Sequence, residues 1–207
     1  MHTDPDAVNS PDLRLNKMTE AAKRWIKFDL PDDVQLGMGV FSDYDYLRPI
    51  QKMTTINDPN RDVLIEKLDE IEAVGKTCIG CGLALAAYNP DLLNNRKGGN
   101  ILLITDGKQQ CMGTQDECLT VTEMTDILVE RNIRVVTIAL GPDADPEIEE
   151  LAEKTGGKSY YVEDYGTSGN INDAFGGSTT YQPGDTIGNT DIEIYQQDWD
   201  FNADKIK

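Results

Sequence analysis

The run Ile101-Leu102-Leu103-Ile104, closed by Thr105-Asp106-Gly107, constrains this chain most. Consecutive apolar residues without alternation suit a parallel strand covered on both faces, because a strand with one wet face alternates polar and apolar positions. A parallel strand in turn requires crossover connections and helices on the faces of its sheet. The flanking sequence supplies both. Residues 34–41 (VQLGMGVF) read as a second buried strand, 133–141 (IRVVTIALG) as a third, and 159–163 as a short fourth. Residues 46–56 read as an edge or bent strand, because Pro49 cannot donate to a ladder.

Helical periods lie between the strands. Leu15, Met18, Ala22, Trp25 and Ile26 recur at steps of three and four, with Pro31-Asp32-Asp33 as the stop. Asp58-Pro59-Asn60 opens a second helix with Leu64, Ile65, Leu68 and Ile71 inward. Residues 80–88 (GCGLALAAY) form a small-residue helix, and Val121, Met124, Ile127 and Leu128 mark another. Pro146 opens a helix carrying Ile148, Leu151 and Ala152, and Gly156-Gly157 closes it. The alternation predicts an α/β fold: a doubly wound, mostly parallel open sheet with helices on both faces, over residues 13–180. Residues 1–12 read as a flexible lead-in. Residues 181–207, where Ile192 and Ile194 alternate with acidic residues, read as the start of a following β-rich domain.

Charge narrows the function. Among 207 residues, 37 are acidic and 19 basic, a formal net charge of −18. Such a chain repels phosphate backbones and anionic lipid, so nucleic acid and membrane surfaces are poor candidates for its partners. No apolar run approaches the roughly 20 residues of a membrane span, and the opening residues do not read as a secretory signal. His2 is the one histidine, which excludes HExxH zinc chemistry and Ser-His-Asp or Cys-His catalysis. Neither GxGxxG after a strand nor GxxxxGK[ST] occurs, so a nucleotide- or flavin-dependent enzyme of this fold class has no motif behind it.

In a doubly wound sheet, ligands bind beyond the carboxyl ends of the strands. Asp106 lies there, and Thr77 precedes a helix whose end it can cap while facing the same rim. A carboxylate and a hydroxyl are hard oxygen donors suited to Mg²⁺ or Ca²⁺. Taken by themselves, the two residues read first as a capping threonine and an Asp-Gly turn, both of which are common.

The stretches LRLNKMTEAAKRWI, GKTCIGCGLALA, NILLITDGK, IRVVTIALGPDADPEIEELAEKTGG and INDAFGG run in order over about residues 13–180. In them the chain resembles a von Willebrand factor type A domain, and within that superfamily the calcium-activated chloride channel regulators. The resemblance implies a metal-ion-dependent adhesion site on the top of the sheet. There a helix-start threonine and a post-strand aspartate, here Thr77 and Asp106, join a DxSxS motif from the first strand. It implies a protein partner, a chloride channel subunit among the candidates, and an extracellular or cell-surface location.

The chain departs from that pattern. No DxSxS occurs in it. The resemblance therefore implies a domain whose first, central strand is missing, with two unpaired strand edges facing each other across the gap. The expected cation site is incomplete and weak, with Asp4, Asp6, Ser10 and Asp12 as poor substitutes. A structural remnant that binds no metal is the competing reading. The family's upstream metalloprotease has no counterpart here, so the chain is read as a non-enzyme.

Cys78, Cys81, Cys111 and Cys118 are the four cysteines. CxxC followed by two more fits zinc ribbons, redox motifs or disulfides, although the six residues between the second pair exceed the usual ribbon spacing. The extracellular resemblance favours at least one disulfide from Cys78 or Cys81 to Cys111 or Cys118, tethering the loop after Asp106 to the helix after Thr77.

Overall fold

A computed structural model describes residues 11–94, 97–111, 118–141, 145–162 and 174–175. The segment 181–207 and most of the lead-in lie outside them. The elements run α1 (Pro11–Arg24), a π-helical turn (Trp25–Asp29), β1 (Gln35–Phe41), β2 (Leu47–Thr55), α2 (Asp58–Leu68), α3 (Ile79–Tyr88), β3 (Asn100–Thr105), α4 (Val121–Glu130), β4 (Arg134–Leu140), α5 (Glu147–Lys154) and β5 (Ser159–Val162).

Helix α1 starts at Pro11, four residues before the apolar period begins at Leu15, because proline is at home in a first helical turn. Its end widens into the π-turn, closed by Leu30 N–H donating to Trp25 O at 2.9 Å. Arg61, only 9% exposed, reaches this end from α2. Its guanidinium donates to Ile26 O and, at 2.7 Å, to Leu30 O, and it pairs with Asp32 at 2.6 Å. One cation thus satisfies carbonyls that a helix end leaves without partners. Arg61→Ala is expected to cost about 2–4 kcal/mol, the range for leaving buried acceptors unpaired. Urea denaturation of both proteins checks it; equal midpoints would show that water serves those carbonyls as well.

Strands β1 and β2 form an antiparallel hairpin, with Gly39 opposite Pro49. Proline sits on the outer strand, as the sequence predicts. Strands β3, β4 and β5 form a parallel sheet in the order β3-β4-β5. Strand β4 is buried along all its residues and sits between the other two. Two hydrophobic clusters pack on opposite faces. One joins α1, the π-turn and α2 to Leu36, Met38, Ile138 and Leu140. The other joins α3, α4 and α5 to Ile101, Leu103, Val135 and Ala139. Helix α4 is launched by a capping box in which Thr120 and Glu123 bond reciprocally. That bonding holds the Glu123 carboxyl below its ordinary range.

Among the described residues, no strand joins the two sheets. The edges of β1 and β3 that lack a partner strand both border a cavity of about 590 Å³, which α1 and α3 also line. This explains one difference from the sequence reading. Leu102 and Ile104 are only partly buried rather than covered on both faces, as are Leu36 and Met38 opposite them. Trp25 Nε1 and Gln35 Oε1, which also border the cavity, are buried without a hydrogen-bond partner among the described residues. Among the described residues, the gap expected between the 34–41 strand and the ILLI strand is present.

Candidate functional site

Three segments converge where β1 and β3 end. Asp106 follows β3 directly. Thr77 is held against the segment after it by a two-residue bridge: Thr77 N–H donates to Gln110 O at 3.2 Å, and Gln110 N–H donates to Thr77 O at 2.7 Å. A Cβ placed on Gly107 would stand 2.8 Å from Thr77 Oγ1, so the hydroxyl lies against the backbone that follows Asp106. Glycine at position 107 makes that approach possible. The third segment is the turn after β1, where Cys78 N–H donates to Ser42 O at 2.6 Å. Asp43, 9% exposed, follows it and accepts the Tyr44 N–H at 2.9 Å.

Thr77 and Asp106 therefore share the rim that their sequence positions predict. Thr77 does not cap α3, however. Cys78 occupies the N-cap position and makes no side-chain cap bond. The residue before it is drawn off by Gln110, and its hydroxyl is left beside the Asp106 turn rather than over the helix end.

Sequence reasoning missed Arg14. Its Nη1 donates to Asp106 Oδ2 at 3.2 Å, with the arginine side chain 15% and the aspartate 41% exposed. Nothing local marks this contact: the residues are 92 positions apart, and α1 delivers the guanidinium across the cavity mouth. Asp145 is the second omission. Beyond binding Glu147 N–H at the start of α5, it accepts Gln109 N–H at 2.7 Å and so anchors the loop after Asp106. Asp4, Asp6 and Ser10 lie outside the described residues, and Asp12 belongs to the first turn of α1.

The donor set fits a hydrated divalent cation in part. One carboxylate and one hydroxyl are the right chemistry for Mg²⁺ or Ca²⁺. Among the described residues no three carboxylates gather anywhere, and Arg14 already neutralises the one present.

The disulfides correct the expected pairing. Cys78 joins Cys81 and Cys111 joins Cys118, with α-carbons 5.2 and 5.8 Å apart. A CxxC at the start of a helix brings its own sulfurs within bonding span, so the near partner wins over the cross-loop one. The tether between the two loops is the Thr77–Gln110 backbone bridge instead.

An open α/β sheet with oxygen donors at its carboxyl rim defines a doubly wound domain with a ligand face at that edge. The sequence model of the von Willebrand factor type A domain matches residues 8–174, and the chain belongs to that family. It is 29% identical over 164 residues to calcium-activated chloride channel regulator 1 of Mus musculus, covering 79% of this chain and 17% of that protein. To regulator 4 of Homo sapiens it is 28% identical over 181 residues, covering 86% and 18%. The chain thus spans about a sixth of the length of these relatives. Among solved structures, the von Willebrand factor type A protein from Catenulispora acidiphila superposes with a TM-score of 0.66 at 18% identity, covering 81% of this chain and 39% of that one. Proximal thread matrix protein 1 from the mussel byssus superposes with a TM-score of 0.60 at 14% identity, covering 83% and 43%.

Proposed function

We propose that this chain is a non-catalytic, cation-assisted protein-binding module of a chloride channel regulator-like protein. It acts at the cell surface or outside the cell and modulates chloride conductance through protein contacts. The observation that carries the reading is the convergence of Thr77 Oγ1 and the Asp106 turn at the strand-end rim, held by the Thr77–Gln110 bridge. Two further facts support it. The relatives are chloride channel regulators by name. A solved form of proximal thread matrix protein 1, at a TM-score of 0.51, is described as having a zinc-occupied adhesion-site motif.

Thr77 and Asp106 would hold a hydrated Mg²⁺ or Ca²⁺, and the cation would offer its remaining positions to an acidic side chain of a partner. With two protein donors, affinity in the millimolar range is expected, about 4 kcal/mol. Calorimetry with Mg²⁺ tests this, using Asp106→Ala as the control that should abolish the heat.

The Arg14–Asp106 pair favours a second reading, a metal-independent module whose aspartate is satisfied internally. Arg14→Gln separates the two. Removing a cation that competes for one carboxylate oxygen should tighten Mg²⁺ binding about three- to tenfold, since a half-exposed ion pair is worth about 1 kcal/mol. Unchanged weak binding in Arg14→Gln, together with an unchanged heat in Asp106→Ala, would retire the cation reading in favour of the structural one.

A further inference from the structure

The four cysteines lie closer together than two independent disulfides require. The Sγ atoms of Cys78, Cys81 and Cys111 are all within 4.8 Å of one another, and Cys118 is bonded to Cys111. Cys78 and Cys81 are 0% and 2% exposed, while Cys111 and Cys118 are partly exposed. The backbone builds this convergence. The Thr77–Gln110 bridge joins the residue before Cys78 to the residue before Cys111. Gln109 closes the other side: Gly80 N–H donates to its Oε1 at 3.2 Å, and its Nε2 donates to Leu119 O at 3.0 Å, one residue past Cys118. The same Nε2 lies 3.8 Å from Cys78 Sγ.

Tetrahedral zinc with Zn–S bonds of about 2.3 Å places its thiolates about 3.8 Å apart. The sulfurs of Cys78, Cys81 and Cys111 are already gathered within 4.8 Å of one another, and on reduction each bonded pair opens from its covalent bond to the thiolate spacing. We propose that Cys78, Cys81, Cys111 and Cys118 are a redox-gated site for one soft divalent cation, zinc by the chemistry of four thiolates. Oxidised, the cluster holds two disulfides and no metal; reduced, it holds the metal. The six-residue spacing of the second pair, unusual for a zinc ribbon, is no obstacle, because Gln110 and Leu119 are pinned on either side of it.

The chemistry balances with a phosphine or a dithiol as reductant. Each disulfide takes two electrons. A phosphine leaves as its oxide, with oxygen from water, and two thiols form. Four thiols then bind Zn²⁺ and release four protons. Gln109 Nε2 remains as a donor beside the Cys78 sulfur, the kind of outer contact that orients metal-bound thiolates. Because Thr77 and Cys78 are adjacent, loading this site stiffens the loop that carries the rim hydroxyl. The site itself is independent of the oxygen-donor site.

The test is an anaerobic titration of the full chain with Co²⁺ and then Zn²⁺, with and without phosphine. The reduced protein is expected to take one equivalent of Co²⁺, with the intense ligand-field bands of tetrahedral thiolate coordination. Zn²⁺ should then abolish those bands. The oxidised protein should show none. Cys111→Ser should weaken binding at least about tenfold, since loss of even an outer contact to a metal ligand costs that much, and Asp106→Ala should leave it unchanged. Thermal melts of the reduced protein supply a second readout: Zn²⁺ should raise the midpoint of the parent and not of Cys111→Ser. Absence of the thiolate bands, retention of full affinity in Cys111→Ser, or a reduced chain that zinc fails to stabilise would each overturn the proposal. Absence of Mg²⁺ heat in the parent protein, with the cobalt bands intact, would instead count against the oxygen-donor site only.

Discussion

A version of this chain carrying an added apolar strand of about seven residues ahead of α1, closed by Asp-x-Ser-x-Ser, is expected to melt about 10 °C higher and to bind Mg²⁺ at least about tenfold more tightly. The length follows from β1, whose seven residues set the span to be matched. The stability follows from what the cavity exposes. Leu36 and Met38 on one side, and Leu102 and Ile104 on the other, are only partly buried. Two strand edges have no ladder partner among the described residues. A strand between them would bury its side chains against both hydrophobic clusters at about 2 kcal/mol each. It would also complete two ladders, against an ordering cost of about 1–2 kcal/mol per residue. A net gain of a few kcal/mol moves the midpoint of a domain this size by about 10 °C. The affinity follows because the strand would end beside Thr77 and Asp106, adding a carboxylate and preorganised hydroxyls to a site that now has two donors. A strand of equal length with lysine at every second position is the control, since charge inside the slot is costly. Equal melting and equal Mg²⁺ binding for the apolar and lysine versions would show that the cavity is not a strand site.

The parts of this fold legible in the sequence are those set by local periodicity. Strand β3 and strand β4 are where the apolar runs place them, because a continuous run has one solution in a covered sheet. Helix α5 begins directly after Pro146 and ends at Lys154, two residues before Gly156, whose φ of 75° requires glycine-like freedom. The position of Asp106 at the rim follows from β3 in the same way. What local pattern does not carry is the partner of a long side chain. Arg14 and Arg61 look like surface residues of amphipathic helices, yet one meets Asp106 and the other the carbonyls of the π-turn. A guanidinium on three methylenes can reach partners in several directions, and only the packed helices decide which. The cysteines show the same limit from the other side. Convergence of the two loops was readable through the family resemblance. Which sulfur bonds which depends on a difference of a few ångströms within one cluster.

Gly157→Ala is expected to destabilise the domain by about 3 kcal/mol or more, enough to unfold a marginal protein of this kind. A Cβ at this position would overlap the carbonyl oxygen of Val135 and stand 2.6 Å from its carbonyl carbon and 3.3 Å from Val136 N. Those atoms are backbone of β4, buried along its length, and cannot swing aside as a side chain can. The glycine is fixed from its own side too. Its N–H closes α5 by donating to Ala152 O at 2.7 Å, and Lys158 O next to it accepts Thr137 N–H at 2.9 Å. Shifting residue 157 outward would break the helix end or the β4–β5 pairing, and β5 would loosen from the sheet that carries Asp106. Gly37→Ala is the informative comparison. There the added methyl meets Leu92 Cδ2 and Met53 Sδ at 2.8 Å, the ends of flexible side chains beside a cavity, with Met53 N at 3.3 Å. A cost of about 1 kcal/mol or less is expected for it, because those ends can rotate into open space. Urea midpoints measured side by side decide the matter. If the two substitutions cost the same, close approach of the α5–β5 turn to β4 is not what holds this half of the sheet together.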